Sequence, residues 1–220
     1  MSRTIIKVPL EYLSSRDDIP VFLPVVAAFI KQHASTHGIF RIPGQQAKLL
    51  TINEQLAQHV PHLPSNINVA DVVSFFKLWL KSLPTPLLSP DIVNKYIGQG
   101  TSEEIIEVIK NLPSINRRCF AIIISIMNSI LENSQQNSMS FGNLSICFAS
   151  SLTQENKHLN SWLPLRSIYD VCSNCLTADE TDFTFINSPN CLSNDENEFL
   201  LFNAPQNPLP QKKLIVLSAC

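Results

Sequence analysis

The stretch SINRRCFAIIISIMNSILEN, Ser114–Asn133, is apolar nearly all round between Phe120 and Met127. FAIIISIM alone has the composition of a buried strand, but buried strands run about 4–8 residues, and the apolar pattern here continues on both sides of that length. It is therefore read as one long helix. A helix that is apolar on every side has to be enclosed by other elements rather than laid on a surface. The stretch predicts an all-α protein, a helical bundle with this helix at its centre.

Working outward, helix signals recur with short breaks between them. On the N-terminal side, Thr101 and Glu104 make a capping box ahead of Ile105, Ile106, Val108 and Ile109. On the C-terminal side, the polar run Glu132–Ser138 reads as a loop, and Ser140 caps a helix containing Leu144, Ile146, Phe148 and Leu152. A last helix is expected over Trp162–Leu176. Further upstream, Asn68 is an N-cap with Asp71 at N3, and Val72, Val73, Phe76, Trp79, Leu80 and Leu83 line one side of the helix that follows. Lys77 and Lys81 lie four apart on its other side. That helix has to stop at LPTPLL, where Pro84 and Pro86 remove donors, and Ser89-Pro90 is a restart signal. Gln46–Gln58 and Pro20–Thr36 complete the set, the latter with Val25, Val26, Phe29 and Ile30 at helical spacing.

Composition narrows the function classes. With 220 residues, 45% hydrophobic and 15% charged, the chain can bury a sizeable core. A net charge of -2 without a Lys/Arg run argues against non-specific nucleic-acid binding. No apolar run reaches the roughly 18–20 residues needed to span a bilayer. The opening MSRTIIKVPLEYL lacks the apolar core of a secretory signal, and Cys220 does not form a prenylation box, so a cytoplasmic protein is expected. Beyond Leu176 the composition turns to Asn, Ser, Pro and acidic residues, which suggests a helical domain over 1–176 and a weakly ordered extension over 177–220.

Six cysteines are scattered, and Cys119 and Cys147 fall inside apolar helical patterns where a thiol behaves as a small hydrophobe. Cys172 and Cys175 form a lone CxxC with neither a second pair nor a following His at finger spacing, and His33 and His37 have no third ligand nearby; no metal site is expected. The remaining chemical candidate is GIFRIPG at Gly38–Gly44, a turn-forming loop between two helical patterns. Pro43 fixes its own φ and biases Ile42 away from helix, while Gly38 and Gly44 permit unusual backbone, so Arg41 is held out on a stiff support. A planar, permanently charged guanidinium presented this way suits a phosphate. The alternative is an arginine that merely bonds nearby helix-end carbonyls.

Three separated segments, GIFRIPG at Gly38–Gly44, VVSFFKLWLKSLPTPLL at Val72–Leu88 and NSMSFGNLSICFASSL at Asn137–Leu152, together resemble the GTPase-activating domain of Rho-family small G proteins, the RhoGAP domain. The resemblance covers roughly Pro9 to Leu176. It implies that Arg41 is an arginine finger, that Lys77 lies near the G protein's switch surface and that Asn143 contacts the G protein. Lys81, Gly38 and Gly44 would support the finger loop. In such a pair the hydrolytic site belongs to the GTPase, so the chain is not itself an enzyme; it needs no cofactor of its own, and GTP and Mg belong to the partner. The implied partner is a Rho-family small GTPase in its GTP-bound state. The chain departs from the family pattern at Lys81, where arginine is usual, at Ser138 in place of a lysine and at Ser150 in place of a proline. A RhoGAP-like module that binds a GTPase or other signalling partner without activating it stays open as the second reading.

Overall fold

A computed structural model describes residues 4–89, 101–152, 154 and 162–185. Its regular elements are almost entirely helical: α1 Leu23–Gln32, α2 Gln46–Leu56, α3 Val69–Ser82, α4 Ser102–Lys110, α5 Ser114–Glu132, the single turn α6 Ser134–Asn137, α7 Phe141–Leu152 and α8 Trp162–Ser173. The long apolar stretch is the helix α5, buried from Cys119 through Met127, and it packs against both α1 and α8. The capping box at Thr101 and Glu104 forms in full, with both reciprocal bonds. Asn68 caps α3 by accepting from the Asp71 N–H at 2.9 Å. No helix among the described residues is long and apolar enough to cross a membrane. The restart signal at Ser89-Pro90 runs into residues outside the described set.

The first helix is shorter than its pattern. Ile19 and Pro20 form a strand, β2, paired antiparallel with β1, Ser15–Arg16, and α1 begins only at Leu23. The cause is the two-residue turn between the strands, where Asp17 and Asp18 both adopt positive φ (52° and 54°). That is the primed hairpin geometry, which matches strand twist and which Asp tolerates. At the other end the chain leaves the helix at His33 and turns through Thr36, whose N–H meets the His33 carbonyl at 3.0 Å.

A line of aromatic side chains runs through the core. Phe22 meets Trp79 edge-on with ring centroids 5.0 Å apart, Trp79 stacks with Phe76, Phe76 meets Phe148, and Phe148 lies 4.6 Å from Phe40. Phe40 belongs to the arginine loop and is 1% exposed. The loop is thereby rooted in the same apolar mass that holds α3 and α7 together.

The residues following α8 also pack on the helices. Leu176 bridges to Phe183, which is buried against Phe120 of α5. Arg117 of α5 grips Asp182 through two hydrogen bonds (2.8 and 3.2 Å), and Glu180 accepts from both Lys31 of α1 and Ser125 of α5. Composition marks the boundary at Leu176, but residues 177–185 are part of the packed unit, which ends at Asn187. Polar composition hid the turn because its anchors are ion pairs and one phenylalanine rather than an apolar run.

Candidate functional site

The arginine loop connects α1 to α2 and is fixed along its backbone. At its start the Gly38 N–H donates to the Asn137 carbonyl at 2.7 Å, and the Gly38 carbonyl accepts from the N–H groups of Arg41 and Ile42, both at 2.9 Å. Gly38 has φ +70°, and a Cβ there would press on the Ile42 side chain. Phe40 also has positive φ (67°), a conformation strained for a bulky residue. In the middle of the loop, Lys77 Nζ donates to the Phe40 carbonyl at 2.8 Å. At its end the Gly44 N–H donates to Ser74 Oγ at 2.8 Å and the Gln45 N–H to Asp71 Oδ1 at 2.7 Å.

Glycine at 44 has a different cause from the one its residue type suggests. Its φ is not positive; what it supplies is room, since a Cβ would lie 2.5 Å from the Ala70 carbonyl oxygen and from the Asp71 Cα. The loop crosses the first turn of α3 in backbone contact.

Arg41 itself is exposed, and its guanidinium makes no hydrogen bond or ion pair to any described residue. The reading in which it bonds helix-end carbonyls has no such contact among those residues. Lys77 is half-buried because its stem lies along α3 on the way to the loop. Asn143 is exposed on the first turn of α7, where its N–H meets Ser140 Oγ at 3.3 Å. One turn on, Cys147 shares that face; burial pushes its thiol pKa up, while the charges of Lys77 and Arg41 pull it down by less. The α7 face carrying Asn143 therefore lies within the field of the two cations. Lys81 is exposed on the last turn of α3, a turn beyond Lys77. Ile42 (47%) and Ile146 (61%) place exposed apolar surface on the loop and on α7.

Three residues of this arrangement were not read from the sequence as part of the site. Asn137 is fully buried and ties three elements together, donating to the Ala34 and Ile130 carbonyls and accepting from the Met139 N–H. Asp71 and Ser74 hold the outgoing end of the loop. A carboxylate within the apolar stripe of α3 was the one available signal, and capping accounted for its position.

His33 Nδ1 lies 2.8 Å from the Phe29 carbonyl, with the ring tilted over Phe29. Cys172 and Cys175 are buried, and burial first, then Cys175, raises the Cys172 pKa well above the usual thiol range, which suppresses the thiolate that redox or metal chemistry needs. Among the described residues no cluster of three or more His, Cys, Asp or Glu could hold a metal. A cavity of about 430 Å³ lies between the N-terminal segment and the end of α2, bounded by Ile5, Tyr12, Phe22 and His59; no arginine-loop residue lines it.

The sequence profile of the RhoGAP domain matches residues 20–157. Among curated proteins, the chain is 27% identical over 147 residues to Rho GTPase-activating protein 4 of Arabidopsis thaliana, covering 66% of this chain and 33% of that protein. It is 28% identical over 165 residues to GTPase activating protein homolog 4 of Dictyostelium discoideum, covering 67% and 18%. The chain thus spans only 18% and 33% of the length of these two relatives. Among solved structures, human Rho GTPase activating protein 15 superposes with a TM-score of 0.65 at 18% identity, over 78% of this chain and 88% of that one, which shows a shared fold.

Proposed function

We propose that this chain, which belongs to the RhoGAP domain family, stimulates GTP hydrolysis by a Rho-family small GTPase and does so by supplying Arg41 to the partner's nucleotide site. One observation carries the reading: at Arg41 the backbone is held on both sides by α3 and Asn137, while the residue is exposed and its guanidinium forms no hydrogen bond or ion pair with a described residue. A structural arginine has the opposite arrangement, its side chain engaged with its surroundings.

The chemistry follows from that split. The partner holds GTP and Mg and orients the attacking water; the missing part is positive charge where negative charge grows on the transferring phosphoryl group. A fixed loop delivers the guanidinium without reorganisation at the moment of reaction, and the exposed apolar surface at Ile42 and Ile146 helps exclude water around it. Lys77 uses one of its three ammonium donors on Phe40, leaving two for the partner's switch surface, and Asn143 docks from α7. The GTP-bound state is the one recognised, and the site of action is the cytoplasm.

Multiple-turnover hydrolysis by a panel of purified GTP-loaded small GTPases, with this chain present in substoichiometric amount, tests the proposal. Acceleration of at least one Rho-family member is expected. Stoichiometric binding without acceleration contradicts it and leaves a binding module.

A further inference from the structure

We propose that Asp71, with Ser74 one turn further along α3, is a positioning residue that sets the reach of Arg41; the inference rests on the finger reading above. Asp71 is 1% exposed, and no cation forms an ion pair with it among the described residues. A buried carboxylate is costly unless something compensates its charge. The N-cap accounts for the Asp71 backbone, whose N–H donates to Asn68, but leaves the carboxylate unused. The carboxylate is spent on the loop: Oδ1 accepts from the Gln45 N–H at 2.7 Å, in the first turn of α3 where the helix end favours negative charge.

Ser74 takes the neighbouring amide, that of Gly44, at 2.8 Å. Two consecutive loop amides are thus held by two side chains at i and i+3 of one helix. The clip works only because Gly44 lacks a Cβ, which lets the loop lie against the Ala70 carbonyl and the Asp71 backbone. Arg41 stands just upstream, across Pro43, whose locked φ passes the placement of residues 44 and 45 back to the finger. Without the clip the loop keeps its root at Phe40 but its outgoing limb can swing. A shift of about 1 Å at a positioned group is enough to cost about 100-fold in rate.

The test compares Asp71→Ala, which removes the acceptor, with Asp71→Asn, which keeps an oxygen in its place. Three readouts are taken: single-turnover hydrolysis at saturating GTP-loaded Rho-family GTPase, affinity for that GTPase, and backbone hydrogen exchange over residues 38–45. Asp71→Ala is expected to slow the saturated rate by about 10–100-fold with affinity changed less than about threefold, and to speed exchange at Gln45. Asp71→Asn restores both. An unchanged saturated rate, unchanged exchange, or an Asn variant that fails like the Ala variant overturns the proposal. Should Asp71→Ala not fold, Ser74→Ala removes only the Gly44 bond and carries the same test with a smaller effect of the same sign. Wild type that accelerates no GTPase defeats the finger reading, while exchange at Gln45 still decides whether Asp71 holds the limb.

Discussion

Lys77 Nζ rests on the carbonyl of Phe40 at 2.8 Å, and Phe40 is the one non-glycine residue of the arginine loop with a left-handed backbone. Such a conformation costs about 1–3 kcal/mol in a bulky residue and persists only where its surroundings over-determine it. Here the side chain is locked against Phe148 and the carbonyl is locked by an ammonium. The lysine that the family resemblance assigns to the partner's surface is thus also part of the loop's own support.

Replacing Lys77 with Met keeps the stem and removes the donor. A hydrogen bond to a charged group is worth about 1.5–3 kcal/mol, so the melting temperature should fall by several degrees. Thermal unfolding of the two proteins checks this. An unchanged melting temperature would mean that Phe40 holds its conformation without Lys77.

Gly44→Ala places a methyl group 2.5 Å from the Ala70 carbonyl oxygen, and backbone on both sides has to move. Overpacking of this kind costs about 1–3 kcal/mol. Loss of stability together with slower stimulated hydrolysis is expected, measured by denaturant unfolding and single-turnover assay. Full retention of both would show that the loop does not need its close approach to α3.

Much of this architecture was legible in the sequence because it rests on local rules. The run at Phe120–Met127 marked α5 as central, and Asn68, Thr101 and Glu104 marked helix starts through side-chain bonds to nearby backbone. The hairpin at Ser15–Pro20 was hidden because Pro20 reads equally well as the first turn of a helix. In the site, the glycines and proline around Arg41 marked a turn between two helices, and Gly38 does take positive φ. The Asp71 bond to the loop and the Asn137 bond to Ala34 were not legible, since their partners lie 26 and 103 residues away. Long-range bonds to loop backbone leave no periodic trace.

The turn after α8 predicts a difference between two truncations. Ending the chain after Asn187 retains Phe183 and both ion pairs, whereas ending it after Leu176 removes them. Burial of one phenylalanine contributes about 1.5–3 kcal/mol, so the shorter chain should melt several degrees lower. Equal melting temperatures would make residues 177–185 an accessory rather than part of the packed unit.

The same turn gives the unit a dependence on acid. Bonding from Lys31 holds the Glu180 carboxyl below the usual range despite some burial; at Asp182 burial works against the charge, but the Arg117 contacts prevail and its pKa is lowered too. Depressed folded-state pKa values mean that this stabilisation is present above the unfolded values of about 4 and is lost as pH falls through the folded ones. Melting temperature should therefore drop below about pH 4, and Glu180→Gln with Asp182→Asn should flatten that drop while lowering stability at pH 7. An identical acid profile in the double variant would assign the dependence to other carboxylates.

The central claim is that Arg41 acts on the transition state and not on docking. It is tested by measuring, side by side, single-turnover GTP hydrolysis and affinity for the GTP-bound Rho-family partner with wild type and Arg41→Ala. An arginine finger is worth about 10³–10⁵ in rate, so the variant should lose nearly all stimulation while its affinity changes far less. Arg41 is exposed and its guanidinium forms no hydrogen bond or ion pair with a described residue, so both proteins should unfold at similar temperature. An Arg41→Ala protein that stimulates hydrolysis as well as wild type would contradict the claim.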